Sequence, residues 1–312
     1  MSAMANNGNQ AIANAGGAHT TPRVSLKDYR AQTPTWCPGC GDFGVLRAIQ
    51  RALVDLGIAP HEVLVVSGIG CSGKLSSYIG TYGFHGLHGR TLPVAQAAKL
   101  ANRSLTVLAV GGDGDGYGIG VGHLVHAIRR NVDITYVVMN NDVYALTVGQ
   151  SAPTTPRGRV TRSAPYGTPE APVSPLGMAL GLGAGFVAQG FAGDVDHLTG
   201  IIKAAIRHRG FALVNTFSPC VTFNPEFGYD YLQAHLVNID DDPAHDRHDV
   251  LAAMRRLTET GGFVQGILYE DPASVPYDEA LPRFSTEPLT AQVAPPDGAT
   301  RAAVLASFGM TA

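Results

Sequence analysis

Two glycine-rich turns carry polar side chains that could do chemistry. One apolar run ends in Gly112-Asp113-Gly114, and the next apolar run along the chain ends in Asn140-Asn141. In a right-handed β-α-β unit these two turns lie side by side at one edge of the sheet. A carboxylate and an amide oxygen suit Mg²⁺ when phosphate oxygens complete its octahedron, and glycine lets the backbone approach a diphosphate at a helix N-terminus. The spacing predicts a site for Mg²⁺ and a diphosphate, and the alternative is two turns with capping Asp and Asn side chains.

The four cysteines of the chain form the second candidate group. Cys37 and Cys40 lie in a C-x-x-C turn, Cys71 lies in a glycine-rich turn, and Cys220 follows the last strand of the predicted series. They are too few for a disulfide scaffold in a chain of 312 residues, which leaves metal binding or inert burial. Four thiolates in loops suit an iron-sulfur cubane or structural zinc, and a C-x-x-C motif alone does not distinguish these two.

Alternating helices and strands are predicted to position these turns. Helical periodicity runs from Asp42, a candidate N-cap, to Gly57,. Further helices are predicted at 92–102, 118–131, 197–210 and 249–259, strands at 62–68, 105–112, 133–140 and 211–219, and a helix, a turn and a strand over 176–193. Because the strands are apolar throughout, we predict an α/β fold with a parallel sheet and helices on both faces. Such sheets bind ligands at the carboxyl ends of their strands.

The predicted domain organisation has three parts. Residues 1–29 are interpreted as a disordered N-terminal tail, residues 30–220 as the domain that holds both candidate sites, and residues 221–312 as a C-terminal arm. Residues 141–175 form a long connection rich in Pro, Thr, Ser and Arg, and loops of this length are usually functional or disordered. The first 20 residues lack the basic and apolar segments of a signal peptide, so we expect a cytoplasmic protein.

The composition argues against two classes of partner. The formal net charge is −3, which provides no basic field for nucleic acid or for an anionic membrane surface. No apolar run approaches the ~20 residues of a membrane span. Charged residues make up only 15% of the chain, against about 25% in an average soluble domain. We therefore expect part of the surface to be buried against other subunits.

The ordered set of motifs resembles a known family. The GDG turn followed by the Asn pair is similar to the motif of thiamine diphosphate enzymes. The motifs WCPGCG, GIGC, HGLHGR, GDGD, NNDVYALTVGQ and SPC together resemble the β subunits of 2-oxoacid:ferredoxin oxidoreductases over about residues 30–270. The resemblance implies a thiamine diphosphate-binding fold and a reversible, coenzyme A-dependent oxidative decarboxylation of a 2-oxoacid. It also implies that electrons pass one at a time through a four-iron four-sulfur cluster to ferredoxin.

The same resemblance implies roles for individual residues. Asp113 and Asn141 become side-chain ligands of Mg²⁺, and Val143 becomes a carbonyl ligand. The implied ligands of the cluster are Cys37, Cys40, Cys71 and Cys220. The residues implied to bind thiamine diphosphate are Gly70, Ser72, Gly112, Asp113, Gly114, Asp115, Asn141, Val143, Tyr144, Ala145, Leu146 and Thr147.

Four basic side chains are candidate catalytic residues, namely Lys74, His85, His88 and Arg90. The segments GCSGK and YGFHGLHGR that contain them are similar to those of family members acting on 2-oxoglutarate, whose second carboxylate needs a cation. Lys74 is the preferred partner for that carboxylate, and Arg90 is the next. The alternatives are that Lys74 is an ordinary surface lysine and that the two histidines pack or cap.

The chain accounts for only the diphosphate end of a thiamine site. No second sheet domain is predicted after residue 220, so the resemblance implies an α subunit with the pyrimidine-binding domain and its activating glutamate, in a heterodimer or a dimer of heterodimers. The substrate could instead be pyruvate or a branched-chain 2-oxoacid. Two further alternatives are a non-redox thiamine-dependent decarboxylase subunit and a nucleotide-binding module with structural zinc. The second arises because residues 68–74 match G-x-x-x-x-G-K, although Leu75 lacks the hydroxyl of that motif,.

Overall fold

The structure, a computed structural model, describes residues 24–281 and 297–309. Most of the predicted N-terminal tail therefore lies outside the described residues. Its last residues differ from the prediction, because Tyr29 is fully buried and its hydroxyl donates a 2.5 Å hydrogen bond to the carbonyl of Ile58. Within the described ranges, no helix is long and apolar enough to cross a membrane.

Helices and strands alternate along the chain as the periodicity predicts. The helices are α1 (Asp42–Asp55), α2 (Leu75–Tyr78), α3 (Thr91–Ala101), α4 (Val121–Arg130), α5 (Pro175–Gly181), α6 (Val195–Arg207), α7 (Tyr229–His235), α8 (Val250–Glu259) and α9 (Gly298–Ser307). The strands are β1 (Val63–Ser67), β2 (Tyr82–His85), β3 (Thr106–Gly112), β4 (Thr135–Asn140), β5 (Val143–Tyr144), β6 (Gln150–Ser151), β7 (Phe186–Phe191), β8 (Ala212–Phe217), β9 (Val237–Asn238) and β10 (Val264–Glu270).

One large sheet organises the described chain. Its eight strands follow the order β2-β1-β3-β4-β8-β7-β10-β9. The strands from β2 to β7 in that order run parallel, whereas β10 pairs antiparallel with β7 and parallel with β9. The α/β fold with a largely parallel sheet is confirmed. Sequence periodicity did not reveal β2, β9 or β10. Because β9 and β10 belong to this sheet, the chain after residue 221 is part of the same fold and is not a separate arm.

Helices cover both faces of this sheet. On one face α1 and α6 pack together over a core that includes Ile49 of α1, Ile201 of α6 and Val137 of β4. On the other face α3, α4, α5 and α8 cover a second core, which contains Leu124 of α4 and the next residue of β4, Val138. Successive residues of β4 therefore face opposite cores, which explains why the residues between Thr135 and Asn140 in this strand are all apolar,.

An ion pair links α6 to the late strands. Nε2 of His197 lies 2.8 Å from Oδ2 of Asp240, and Oδ1 of Asp240 accepts a 2.9 Å hydrogen bond from the backbone of Ile267 in β10. The hydrogen bond to Asp240 raises the pKa of His197 above its usual 6.5. Burial alone would raise the pKa of Asp240, but the hydrogen bonds from His197 and Ile267 outweigh it and lower that pKa below its usual 3.8.

This pair predicts a pH-dependent contribution to stability. The contribution is fully present between the ordinary pKa values of 3.8 and 6.5. It is lost as the pH rises through the raised pKa of His197 or falls through the lowered pKa of Asp240. We expect His197→Gln to lower Tm by no more than a few degrees, since such pairs contribute about 1 kcal/mol or less. Thermal unfolding of both proteins across this range should show the largest difference inside the window, and a pH-independent difference would contradict the assignment.

Candidate active site

The carboxyl ends of β1, β3, β4 and β8 meet at one edge of the sheet, and the turns that follow them carry the predicted site residues. The turn after β1 contains Gly70, Cys71 and Ser72. The turn after β3 begins at Asp113 and continues as a π-helical turn, Gly114–Ile119, before α4 begins. The parallel order of the strands therefore gathers segments that are far apart in sequence.

A cleft of about 90 Å³ lies between these turns. Every residue that the resemblance assigned to thiamine diphosphate lines it, together with His88, Ile69 and Cys71. The structure thus brings Gly70, Ser72, Gly112, Asp113, Gly114, Asp115, Asn141, Val143, Tyr144, Ala145, Leu146 and Thr147 to one place. Cys71 connects this cleft with the cysteine group, because it also contacts the small cluster of Val143, Ala145 and Cys220.

Asp113 is a buried carboxylate at the base of the cleft. It is only 2% exposed, and burial raises its pKa to about 6 against hydrogen bonds from Thr154 and from the backbone of Gly114 and Asn141. The hydroxyl of Thr154 donates to Oδ2 of Asp113 over 2.5 Å. A buried carboxylate without a cationic partner is costly, so this side chain fits a position that a bound cation would neutralise.

Tyr144 closes the GDG turn from the opposite side. Its hydroxyl donates a 3.0 Å hydrogen bond to the carbonyl of Gly114. A Cβ at position 114 would lie 2.2 Å from the Tyr144 ring, which no side chain other than hydrogen can avoid. The glycine at this position is therefore required by the close approach of Tyr144.

Asp115 ties together the turns that follow β1, β2 and β3. Its Oδ1 accepts hydrogen bonds from the backbone of Ile69 at 2.9 Å and of Gly89 at 2.8 Å. Nδ1 of His88 lies 2.7 Å from the same oxygen. Because these protein donors occupy the carboxylate, Asp115 holds the walls of the cleft in place.

The turns that carry the four cysteines also converge. The backbone N–H of Gly41, next to Cys40, donates to the carbonyl of Pro219, next to Cys220, over 3.0 Å. A Cβ at position 41 would lie 2.6 Å from Oγ of Ser218, so glycine permits this approach. Nε1 of Trp36 donates to the carbonyl of Cys71 over 2.7 Å, which holds the turn of Cys71 against the C-x-x-C turn.

All four thiols are free. Burial raises the pKa of Cys71 to about 11 and raises those of Cys40 and Cys220, and charge on neighbouring cysteines raises each of the three further. The thiols therefore lie within electrostatic reach of one another. Among the described residues, no three His, Cys, Asp or Glu side chains form a group that could hold a single metal ion.

The predicted N-cap at Asp42 is wrong. Gly41 is the N-cap of α1, and Asp42 is its first helical residue. The Asp42 carboxylate is 1% exposed and accepts a 2.7 Å hydrogen bond from Oγ of Ser218. Asp42 therefore joins the C-x-x-C turn to the turn of Cys220, and burial raises its pKa to about 6.

Comparison with known proteins identifies this arrangement. Residues 68–216 match the family model of the C-terminal TPP binding domain of thiamine pyrophosphate enzymes, and residues 220–286 match that of the C-terminal part of the pyruvate ferredoxin oxidoreductase β subunit. The β subunit of 2-oxoacid:ferredoxin oxidoreductase 1 from Aeropyrum pernix is 40% identical over 267 residues, which cover 82% of this chain and 84% of that relative. The chain belongs to the 2-oxoacid:ferredoxin oxidoreductase β subunits.

Other similar proteins agree with this identification of the β subunit. The 2-oxoglutarate oxidoreductase subunit KorB of Mycobacterium tuberculosis is 43% identical over 68% of this chain and 57% of that protein. A chain in the structure of the 2-oxoglutarate:ferredoxin oxidoreductase from Magnetococcus marinus, with 2-oxoglutarate, coenzyme A and succinyl-CoA bound, matches with a TM-score of 0.80 and 39% identity. That match covers 89% of this chain and 98% of the other. The resemblance of the motifs, the thiamine diphosphate-binding fold and the assignment as an enzyme subunit are confirmed.

The four candidate catalytic residues of the β subunit take different positions. His88 lines the cleft, and its ring packs edge-on against Tyr144 with 6.2 Å between ring centroids. Lys74 ends the short 3-10 helix Ser72–Lys74 beside Cys71 and is half-buried. His85 and Arg90 are exposed and do not line the cleft. The structure therefore brings His88 alone of the four into the lining of the cleft and leaves the other three outside it.

Sequence reasoning missed two residues that support this β-subunit site, Thr154 and Asn224. Both are almost fully buried, and both lie in irregular segments, one in the connection over 141–175 and one after Cys220. The hydrogen bonds of Thr154 to Asp113 and of Asn224 to Asn141 span long stretches of chain. The dense Pro and Thr content of residues 152–156 was a signal of a folded turn, but it did not indicate which carboxylate the turn would contact.

Proposed function

We propose that this β subunit holds thiamine diphosphate through Mg²⁺ in the cleft and a four-iron four-sulfur cluster between the three turns that carry the four cysteines. With an α subunit, it catalyses the reversible, coenzyme A-dependent oxidative decarboxylation of a 2-oxoacid and delivers the electrons to ferredoxin. The observation that carries the proposal is the position of Cys71, which lines the same cleft as Asp113 and Asn141 and packs against the small cluster that contains Cys220. The two proposed centres are therefore neighbours.

The donor set at the cleft fits Mg²⁺ with a diphosphate. Asp113 and Asn141 supply hard oxygen ligands, and the carbonyl of Val143 supplies a third, which leaves positions for phosphate oxygens. The side-chain oxygen of Asn141 accepts a 3.2 Å hydrogen bond from the backbone of Val143, so both proposed ligands belong to one tight turn. When bound, thiamine diphosphate supplies an electron sink for the carbanion formed at the substrate carbonyl.

The cysteine turns fit an iron-sulfur cluster. Thiolates are the protein ligands of four-iron clusters, and the four free thiols come from three turns that the Gly41 and Trp36 contacts hold together. Burial raises the pKa of Cys40, Cys71 and Cys220 because it removes the solvent that would stabilise their thiolates. A bound cluster would stabilise these thiolates, because the positive charge of the metal would replace the missing solvent. The chain's contribution is to fix the sulfur positions beside the cleft.

An exposed apolar surface beside the cleft supports an α-subunit partner. Tyr82 and Phe84 of β2 and Leu87 after it are exposed, the last to 75%. Leu146 lines the cleft and is also exposed. Contiguous exposed apolar side chains mark interaction surfaces in soluble proteins. We assign this surface to the α subunit, whose pyrimidine-binding domain and activating glutamate would complete the site.

We propose 2-oxoglutarate as the substrate. Support comes from the KorB relatives, which are named for 2-oxoglutarate, and from the similar enzyme with bound 2-oxoglutarate. The side-chain ammonium of Lys74 makes no ion pair or hydrogen bond to any residue in the described ranges. Its positive charge lowers the pKa of Cys71, against the larger effect of burial, which raises that pKa. A half-buried, unpaired ammonium at the margin of the cleft suits the second carboxylate of this substrate.

Lys74→Ala should therefore lower kcat/KM for 2-oxoglutarate by roughly ten- to a hundredfold, because a charge-assisted hydrogen bond contributes about 1.5–3 kcal/mol. Pyruvate has no second carboxylate, so its oxidation should change far less. Steady-state assays with both acids measure the difference, and iron analysis shows whether the cluster beside Cys71 is intact. Lys203→Ala is the matched control, since Lys203 pairs with Asp55 on the surface. An equal loss for both acids would contradict this role for Lys74.

Thr154 should set the affinity for Mg²⁺ through Asp113. Thr154→Val removes the hydroxyl that donates to Oδ2 of Asp113 and should weaken Mg²⁺ binding by roughly 10- to 100-fold, as is typical for partners of metal ligands. Thr154→Ser keeps the hydroxyl and should restore most of the affinity. Calorimetric titration of Mg²⁺ in the presence of thiamine diphosphate measures both variants, and equal affinities for Val and Ser would show that the hydroxyl is irrelevant.

A further inference from the structure

Asn224 lies between the turn of Cys220 and the turn of Asn141. Its side chain is almost completely buried, with 1% exposure for the residue. Nδ2 of Asn224 donates a 2.7 Å hydrogen bond to the carbonyl of Asn141. The backbone N–H of Asn224 donates a 2.9 Å hydrogen bond to the carbonyl of Cys220. One residue therefore contacts the peptide of a proposed cluster ligand and the peptide of a proposed Mg²⁺ ligand.

The side-chain oxygen of Asn224 is also occupied. It accepts a hydrogen bond from the guanidinium of Arg159, whose side chain is 17% exposed and lies 3.9 Å from Glu226. The amide thus has one orientation, with its oxygen toward Arg159 and its nitrogen toward Asn141. Arg159 comes from the long connection over 141–175, so this segment holds the Asn224 amide in its orientation.

The turn that Asn224 contacts is conformationally strained. Asp142, directly after Asn141, has a φ of +58°, in the left-handed region that residues with a Cβ seldom adopt. Such a conformation persists only when surrounding contacts impose it. Two contacts do so here: Asn224 binds the carbonyl of Asn141, and the hydroxyl of Thr155 donates to the carbonyl of Asp142 over 2.6 Å.

We propose that Asn224 is a positioning residue that fixes the thiamine–Mg²⁺ turn relative to the cluster turn. This inference rests on the proposed function, because it takes Asn141 and Cys220 as ligands of the two centres. Asn224 does not line the cleft and acts through the two peptides that it joins. Its loss leaves all four thiols and Asp113 in the chain, but it releases the Asn141 peptide from the Cys220 turn.

The test uses the anaerobically purified complex of this chain with its α subunit. Asn224→Ala should retain the iron content of the wild type and weaken Mg²⁺ binding, titrated with thiamine diphosphate present, by roughly 10- to 100-fold. With both cofactors saturating, the cluster should also be reduced more slowly by 2-oxoglutarate, while its reduction by dithionite stays unchanged. If Asn224 served stability alone, its substitution would lower Tm and would change neither the Mg²⁺ affinity nor the rate of reduction by 2-oxoglutarate. Asp230→Asn, a change at an exposed side chain of the following helix α7, is the control and should match the wild type.

Asn224→Asp provides a second variant with the same volume. An ionised Asp keeps an acceptor for Arg159 but cannot donate to the Asn141 carbonyl, so we expect the same weakening of Mg²⁺ binding. This variant replaces Asn224→Ala in the test if the Ala complex does not assemble. Wild-type Mg²⁺ affinity and wild-type reduction by 2-oxoglutarate in either variant would overturn the positioning role. A wild-type complex without iron, or without affinity for thiamine diphosphate, would instead overturn the proposed function.

Discussion

Asp113→Asn should abolish Mg²⁺-dependent binding of thiamine diphosphate and, with it, oxidation of every 2-oxoacid. The change keeps the size of the side chain in a site where Asp113 is 2% exposed, but it removes the charge that balances the cation. Losing the hydrogen-bond partner of a metal ligand typically weakens metal binding by roughly 10- to 100-fold. Losing a carboxylate that binds the metal directly should weaken it more. We expect the Kd for Mg²⁺ to rise by at least about a hundredfold, as calorimetric titration with thiamine diphosphate would show.

The iron content of the Asp113→Asn complex should equal that of the wild type, because the cysteine turns do not depend on the Asp113 charge. Asp55→Asn is the matched control, since Asp55 is an exposed carboxylate that pairs with Lys203. This control should bind the cofactor as the wild type does. Undiminished binding of thiamine diphosphate by Asp113→Asn would show that Mg²⁺ is held elsewhere.

Cys220→Ser should eliminate the proposed cluster and, with it, the proposed transfer of electrons to ferredoxin. Cys220 is 8% exposed and lies at the end of the turn that follows β8, packed beside Val143, Ala145 and Cys71. An alcohol is a poor ligand for iron in a cluster whose other ligands are thiolates. We expect the purified variant complex to lose its iron and sulfide and its visible absorbance, and to reduce ferredoxin only at background rate.

Thiamine diphosphate should still bind to the Cys220→Ser complex, because Asp113, Asn141 and Val143 are unchanged. The exposed neighbour Thr222 provides the control Thr222→Ala, which should keep iron and activity. A Cys220→Ser complex that oxidises 2-oxoacids normally would indicate a non-redox role for the cysteines. A wild-type complex that contains zinc in place of iron and sulfide would favour a structural metal.

The sequence predicted the centre of the fold better than its edges. β3, β4 and β8 are buried and mostly apolar, so a parallel sheet could be predicted from these apolar runs and their alternation with helices. β2 is exposed at every residue, and β10 is interrupted by a bulge between Ile267 and Tyr269. Neither of these strands has the uniform apolar run by which buried parallel strands are recognised.

The residues of the candidate site likewise fall into those that the sequence could predict and those that it could not. Asp113 and Asn141 could be predicted because each directly follows a buried strand, and parallel strands bring such positions together. Thr154 and Asn224 could not be predicted, because their hydrogen bonds depend on how irregular segments fold back over the turns. Asp42 was misassigned as a helix cap, since sequence does not reveal that Ser218 competes for its carboxylate.

The most direct test of the central claim is a 2-oxoacid oxidation assay on the complex of this chain with its α subunit, purified without oxygen. We predict strictly coenzyme A-dependent reduction of ferredoxin or a viologen dye, with a higher kcat/KM for 2-oxoglutarate than for pyruvate or branched-chain 2-oxoacids. Reduction with pyruvate alone would contradict the proposed substrate and the role of Lys74. No reduction with any 2-oxoacid, in a complex shown to contain iron and thiamine diphosphate, would contradict the proposed function itself.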